Sequence, residues 1–101
     1  MKVADLSGVE LDYWMHQHAC KVRGTAGTRE DFNKGYSEGK FQFSTDKPLL
    51  YDLTITYQIR VQLLADEWLA STTNSSFYGE TPLEAACRLV VAKSFGSEIK
   101  E

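Results

Sequence analysis

The chain has 101 residues, 43% of them apolar and 12% aromatic, with a formal net charge of -3 at pH 7. That size and composition suit a single compact core and exclude a disordered tail. The slightly acidic balance argues against nonspecific binding to nucleic acid phosphates, and no run approaches the roughly 20 apolar residues of a membrane span.

The first residues, "MKVADLSGVELDYW", carry acids where a secretory signal needs an apolar stretch, so the expected location is the cytoplasm. Ser7 followed by Glu10 has the spacing of a capping box, with Leu6 and Leu11 placed as a hydrophobic staple. A helix is therefore predicted over 8–20. At 100° per residue, Leu11, Trp14, Met15, His18 and Val22 fall on one stripe, taken as the core face. Val9, Tyr13, His16 and Cys20 fall on the opposite side.

Residues 21–47 are polar and punctuated by glycine, which predicts an irregular loop, with a short strand near Phe41 to Phe43 as the one element it allows. Next, Leu53, Ile55, Tyr57, Ile59, Val61 and Leu63 alternate with polar residues, the period of a strand over about 52–63 with one buried face. A helix over 56–66 is the rival reading. "LADE" supplies a turn, and a second strand at 67–73, with Trp68, Ala70 and Thr72 on one face, completes an antiparallel hairpin.

The final helix, 82–95, has the fullest signals: Thr81 as cap, Pro82 in the first turn, Glu84 to close the box and Gly96 as the stop. Leu83, Ala86, Cys87, Val90 and Ser94 form a face for a sheet, and Ala85, Leu89 and Ala92 add a second apolar stripe. A helix apolar nearly all round is covered on more than one side, here by the first helix or by another chain. The expected fold is α+β, a small antiparallel sheet of two to four strands with two helices packed on one face.

"GETPLEAACRLVVAKSFG", Gly79 to Gly96, resembles the C-terminal signature of the NinX proteins of lambdoid phages and prophages. "LSGVELDYW" (Leu6 to Trp14), Tyr36-Ser37, Pro48 to Leu50 and Glu67 to Ala70 extend the likeness over most of the chain. The middle departs from it, with Phe43 the nearest aromatic to an expected tryptophan. The resemblance implies a phage or prophage origin and no mechanism, since the family brings no established activity. Many of the matching residues are also what helix punctuation and close helix-on-sheet packing require.

The chemical motifs are weak. Two histidines and two cysteines without paired short spacings do not make a zinc site, and Cys20 and Cys87 are expected as reduced, buried thiols. Asp12, His16 and Cys20 lie one helical turn apart in the order of an acid, base and nucleophile, yet such spacing arises on any amphipathic helix. "GYSEGKF" fails the spacing of a phosphate-binding loop, and no cofactor motif is present. The expectation is a non-enzymatic protein without metal or cofactor.

Two binding readings remain. Val9, Tyr13, His16 and Cys20 together with Ala85, Leu89 and Ala92 would form an interface with a host or phage protein, or with a second copy in a homodimer. Alternatively these stripes pack on each other or under the long loop. The second reading gives Arg23, Arg29, Lys34, Tyr36 and Lys40 of the 21–47 segment to single-stranded nucleic acid, gripped by charge and stacking.

Overall fold

The computed structural model describes residues 1–99. In chain order it has helices α1 (Gly8–Arg23), α2 (Arg29–Ser37) and α3 (Lys47–Tyr57), then strands β1 (Arg60–Leu64), β2 (Glu67–Ser71) and β3 (Ser76–Gly79), then helix α4 (Pro82–Phe95), with 3-10 turns at Val3–Asp5 and Phe43–Thr45. The fold is α+β, with one small antiparallel sheet in the order β1-β2-β3.

α4 occupies the place its sequence assigns. The Thr81 hydroxyl accepts from Glu84 N at 3.0 Å, while the Glu84 carboxylate accepts from Glu80 N at 3.1 Å, one residue before the cap. The helix ends at Gly96, which has a φ of 87°. It lies across β2 and β3, with α1 and α3 packed on its other sides. Leu83, Ala85, Ala86, Cys87, Leu89, Val90 and Val91 are all buried as a result. Each buried Leu or Val contributes about 1.5–3 kcal/mol of transfer free energy.

Helix and sheet approach closely at one end. A Cβ on Gly79 would stand 2.6 Å from Ala85 N, so only glycine fits there. Arg88 fastens the same corner: its Nε donates to Leu6 O at 2.8 Å, its Nη1 to Tyr78 O at 2.6 Å, and its Nη2 pairs with Glu84 at 3.2 Å. Gly79, Thr81, Glu84, Ala85 and Arg88, five residues of the "GETPLEAACR" stretch, thus all serve this joint.

The sheet registers Leu64 with Glu67 across the two-residue turn Ala65-Asp66, and Trp68 with Gly79 between β2 and β3. Val61, Trp68, Ala70 and Phe77 face the core. The expected hairpin is present, and β3 is a strand the sequence reading did not anticipate.

Three segments differ from expectation. The predicted strand over 52–63 is a helix as far as Tyr57 and a strand only from Arg60, and the rival helix over 56–66 is equally displaced. Leu49, Leu50, Leu53 and Tyr57 have helical spacing and pack on the core, whereas Ile55, a member of the alternating set, is exposed. Gln58, at φ 54°, reverses the chain between α3 and the strand.

The predicted loop over 21–47 contains the last turn of α1, α2 and the 3-10 turn at Phe43–Thr45, where a short strand near Phe41 to Phe43 was expected, and α3 begins at its final residue. Thr28 caps α2 by accepting from Asp31 N at 3.1 Å, and Glu30 and Asp31 complement the helix N-terminus. Gly35 does not break this helix. Its missing side chain admits the Phe41 ring, which a Cβ would meet at 2.1 Å.

α1 runs three residues beyond its expected end at Cys20. Its capping box does not form: Gly8, directly after the cap, has φ 54°, and Ser7 accepts no capping bond through its side chain. Glu10 pairs with Arg29 instead. The buried face is also rotated. Leu11 and Met15 are in the core as expected, but Val22 is 69% exposed, while Asp12, His16 and Cys20 are buried.

Candidate functional site

The rotation of α1 follows from what covers it. The chain from Gly27 to Phe43 folds back over the stripe Asp12, His16 and Cys20. Gln17 donates to Gly27 O at 2.9 Å, and a Cβ on Gly27 would meet Cys20 Sγ at 2.8 Å, so the cover needs glycine at this crossing. The rings of Phe32 and Phe41 lie 5.6 and 4.3 Å from the His16 imidazole, and Tyr36 stacks beside Phe32. The long segment is a packed lid of aromatic residues.

Under this lid, the acid, base and thiol do not form a relay. Asp12 accepts from Ser44 N at 2.7 Å, and burial holds its carboxyl above the usual range. His16 Nε2 lies 3.7 Å from Cys20 Sγ, but the buried Nδ1 has no partner, so no acid orients the ring. Burial, followed by the charge of Arg23, pushes the His16 pKa down. A neutral imidazole without an orienting acceptor is a poor general base. Cys87 is elsewhere in the core, where burial pushes its thiol up. Among the described residues, no group of three or more His, Cys, Asp or Glu side chains is placed to hold a metal ion.

His18 is also enclosed. Its Nδ1 lies 2.7 Å from Ser94 Oγ and its Nε2 2.6 Å from Tyr57 Oη, which joins α1 to α4 and α3. A neutral imidazole offers one donor and one acceptor, and the two hydroxyls match it with either tautomer. Burial and the charge of Lys21 lower its pKa.

The residues proposed from sequence as a protein interface do not form one surface. Val9 is exposed and Tyr13 half-buried, the latter with the Arg29 guanidinium 3.7 Å above its ring. His16 and Cys20 lie beneath the lid. Ala85 and Leu89 are inside the core and have no surface to offer, while Ala92 is half-buried. The alternative in which the stripes pack internally and under the 21–47 segment describes this arrangement.

The basic set is dispersed too. Arg29 is held by Glu10 at 3.0 Å and Lys40 pairs with Glu38 at 3.6 Å. Arg23 and Lys40 flank a shallow cavity of about 350 Å³ that His16, Phe41, Phe43 and Asp46 also line, and Lys34 is exposed on α2. Tyr36, the aromatic expected to stack on bases, packs against the buried Phe32 with ring centroids 5.2 Å apart.

The exposed apolar surface lies where sequence reasoning did not look. Among the described residues eight large apolar side chains are exposed, and four of them, Tyr51, Ile55, Leu63 and Leu64, come from α3 and β1. Tyr51 and Ile55 stand one helical turn apart, 71% and 64% exposed, opposite the side of α3 that enters the core. Reading 52–63 as one strand turned Ile55 and Leu63 inward and hid this pattern. Pro48, in the first turn of a helix just as Pro82 is, was the available signal.

Set against models of known families, curated proteins and solved structures, the chain matches none. Among the described residues no helix is long and apolar enough to cross a membrane.

Proposed function

We propose that this is a non-enzymatic accessory protein of phage or prophage origin, acting in the host cytoplasm by binding a host or phage protein. The origin rests on the resemblance of Gly79 to Gly96 to the NinX signature. The binding reading rests on one observation, the exposed pair Tyr51 and Ile55 on α3. A tyrosine and an isoleucine one turn apart, on a helix anchored by its opposite face, have the spacing of the anchors by which a helix enters a partner's groove. The histidines and thiols give no support to catalysis, because His16 lacks an orienting acid and His18 is fully engaged.

A single-stranded nucleic acid has less support as partner, since Arg29 and Lys40 are in ion pairs and Phe32 and Tyr36 pack inward. The test is affinity capture from infected or prophage-bearing cells, with protein mass spectrometry and sequencing of bound nucleic acid. The expected result is a protein partner whose recovery falls at least about tenfold with Tyr51→Ala plus Ile55→Asp at unchanged melting temperature. Recovery of nucleic acid that is lost with Arg23→Ala plus Lys34→Ala and with added salt would replace this reading by the other.

A further inference from the structure

The two edges of the sheet are treated differently by the rest of the chain. Thr72 N bonds Ser75 O at the β2–β3 turn, which fixes the alternation of the ladder: β2 bonds β3 through Trp68 and Ala70 and bonds β1 through Glu67, Leu69 and Ser71. On β3 the outward-facing groups then belong to Ser76 and Tyr78, and the Tyr78 carbonyl is taken by Arg88 Nη1 at 2.6 Å. On β1 they belong to Val61 and Leu63, and among the described residues no group bonds them.

β1, "RVQLL", has no proline, lysine or bulge to discourage pairing, and its Leu63 and Leu64 are 56% and 38% exposed. Unprotected apolar edges of this kind are templates for another strand.

We infer that two copies of this chain join β1 to β1 in antiparallel register about a two-fold axis at Gln62, making one continuous six-stranded sheet. This register pairs both outward residues of β1, whereas a shift by two residues pairs only one of them, with its own counterpart. Val61 of one copy faces Leu63 of the other, so the residues with free outward groups exchange four backbone hydrogen bonds. Shifting the partner by one residue would set outward groups against inward ones.

The side chains agree with the backbone. Leu63 is covered by Val61 of the second copy on the core side of the sheet. On the bare side the Gln62 amides meet on the axis, and Arg60 stands across from Leu64 of the second copy. Beyond that Leu64, one strand further, is Glu67 of the second copy, since Leu64 and Glu67 are register partners. The Arg60 and Glu67 backbones are then about 10 Å apart, a gap their extended side chains close. Within one copy, among the described residues, neither Arg60 nor Glu67 has an ion-pair partner. The pairing supplies one to each, twice by symmetry.

This dimer does not depend on the protein partner proposed above, because it uses the edge of β1 and not the α3 pair. Sedimentation velocity of the purified chain from 1 to 100 µM, about the range in which weak association becomes visible, reads it directly. The expected result is a dimer that Val61→Pro converts to monomer with an unchanged circular dichroism spectrum, since proline there removes an outward N–H and leaves the β1–β2 ladder intact. Arg60→Glu alone and Glu67→Arg alone should each weaken association about tenfold, and the two together should restore it. A wild-type chain that stays monomeric at the highest concentration overturns the inference. So does a dimer indifferent to both Val61→Pro and the charge exchange, which would locate the contact on another surface.

Discussion

The segment Gly79 to Gly96 and the segment Thr28 to Gln58 are built by opposite means. In the first, each structural decision is made by residues close in sequence: Thr81 and Glu84 start α4, Gly79 admits Ala85, and Gly96 ends the helix. In the second, the decisive partners are distant. Asp12 is buried because Ser44 returns to it across 32 positions, and Tyr57 is held by His18 across 39. A local signal survives as a motif, whereas a partnership across the chain is invisible until the chain is folded.

Arg88 is where the first segment stops being local, and its loss should have the largest effect. Arg88→Ala leaves the Leu6 and Tyr78 carbonyls without their donor and the Glu84 carboxylate without its ion pair. A loss of about 3 kcal/mol is expected in urea denaturation, from three charge-assisted bonds partly replaced by water. Arg88→Lys should recover little of it, because one ammonium cannot span acceptors on three elements. A lysine variant as stable as wild type would show that the corner holds by helix packing alone.

The second segment is probed by pH. His16 lies under its lid and His18 against its helix α3, and both have pKa values lowered from 6.5. The unfolded chain therefore takes up protons near pH 6.5 before the folded one does. Stability is fully present above that value and falls as pH drops through it, by at most about 1.4 kcal/mol per unit for each histidine. A decrease in stability between pH 7.5 and 5 is expected in the same assay. Asp12 acts in the opposite sense further down, since its raised carboxyl favours the folded state as it protonates. Phe41→Ala opens the lid over His16 and should make the pH dependence shallower. An unchanged slope would mean that His18 alone produces it.

These partnerships explain what was legible. The α+β class, the hairpin and both ends of α4 could be read because caps, turns and alternation are written within a few residues. The candidate sites could not. Helical spacing alone places Asp12, His16 and Cys20 on one stripe, but the bond from Ser44 to Asp12 spans 32 positions and decides that the three do not act together. Ala85 and Leu89 could be read either way, because the all-round apolar character of α4 says that it is covered on more than one side but not whether α1, α3 or another chain supplies the cover.

The smallest effect tests the most instructive misreading. α3 and α4 both begin with proline in the first turn, but α4 ends on glycine and α3 ends on Gln58 in the left-handed region at φ 54°. Because the stop signal is missing, the alternation from Leu53 to Leu63 reads through as one strand. Left-handed backbone costs a residue with a Cβ about 1 kcal/mol relative to glycine. Gln58→Gly should therefore stabilise the protein by about 0–0.6 kcal/mol, the flexibility it adds to the unfolded chain offsetting the rest. It would also bring the sequence into line with the structure, since the helix would then carry its own terminator. If the substitution destabilises instead, the Gln58 side chain contributes to the α3–β1 reversal, and the two helices differ in more than the residue that ends them.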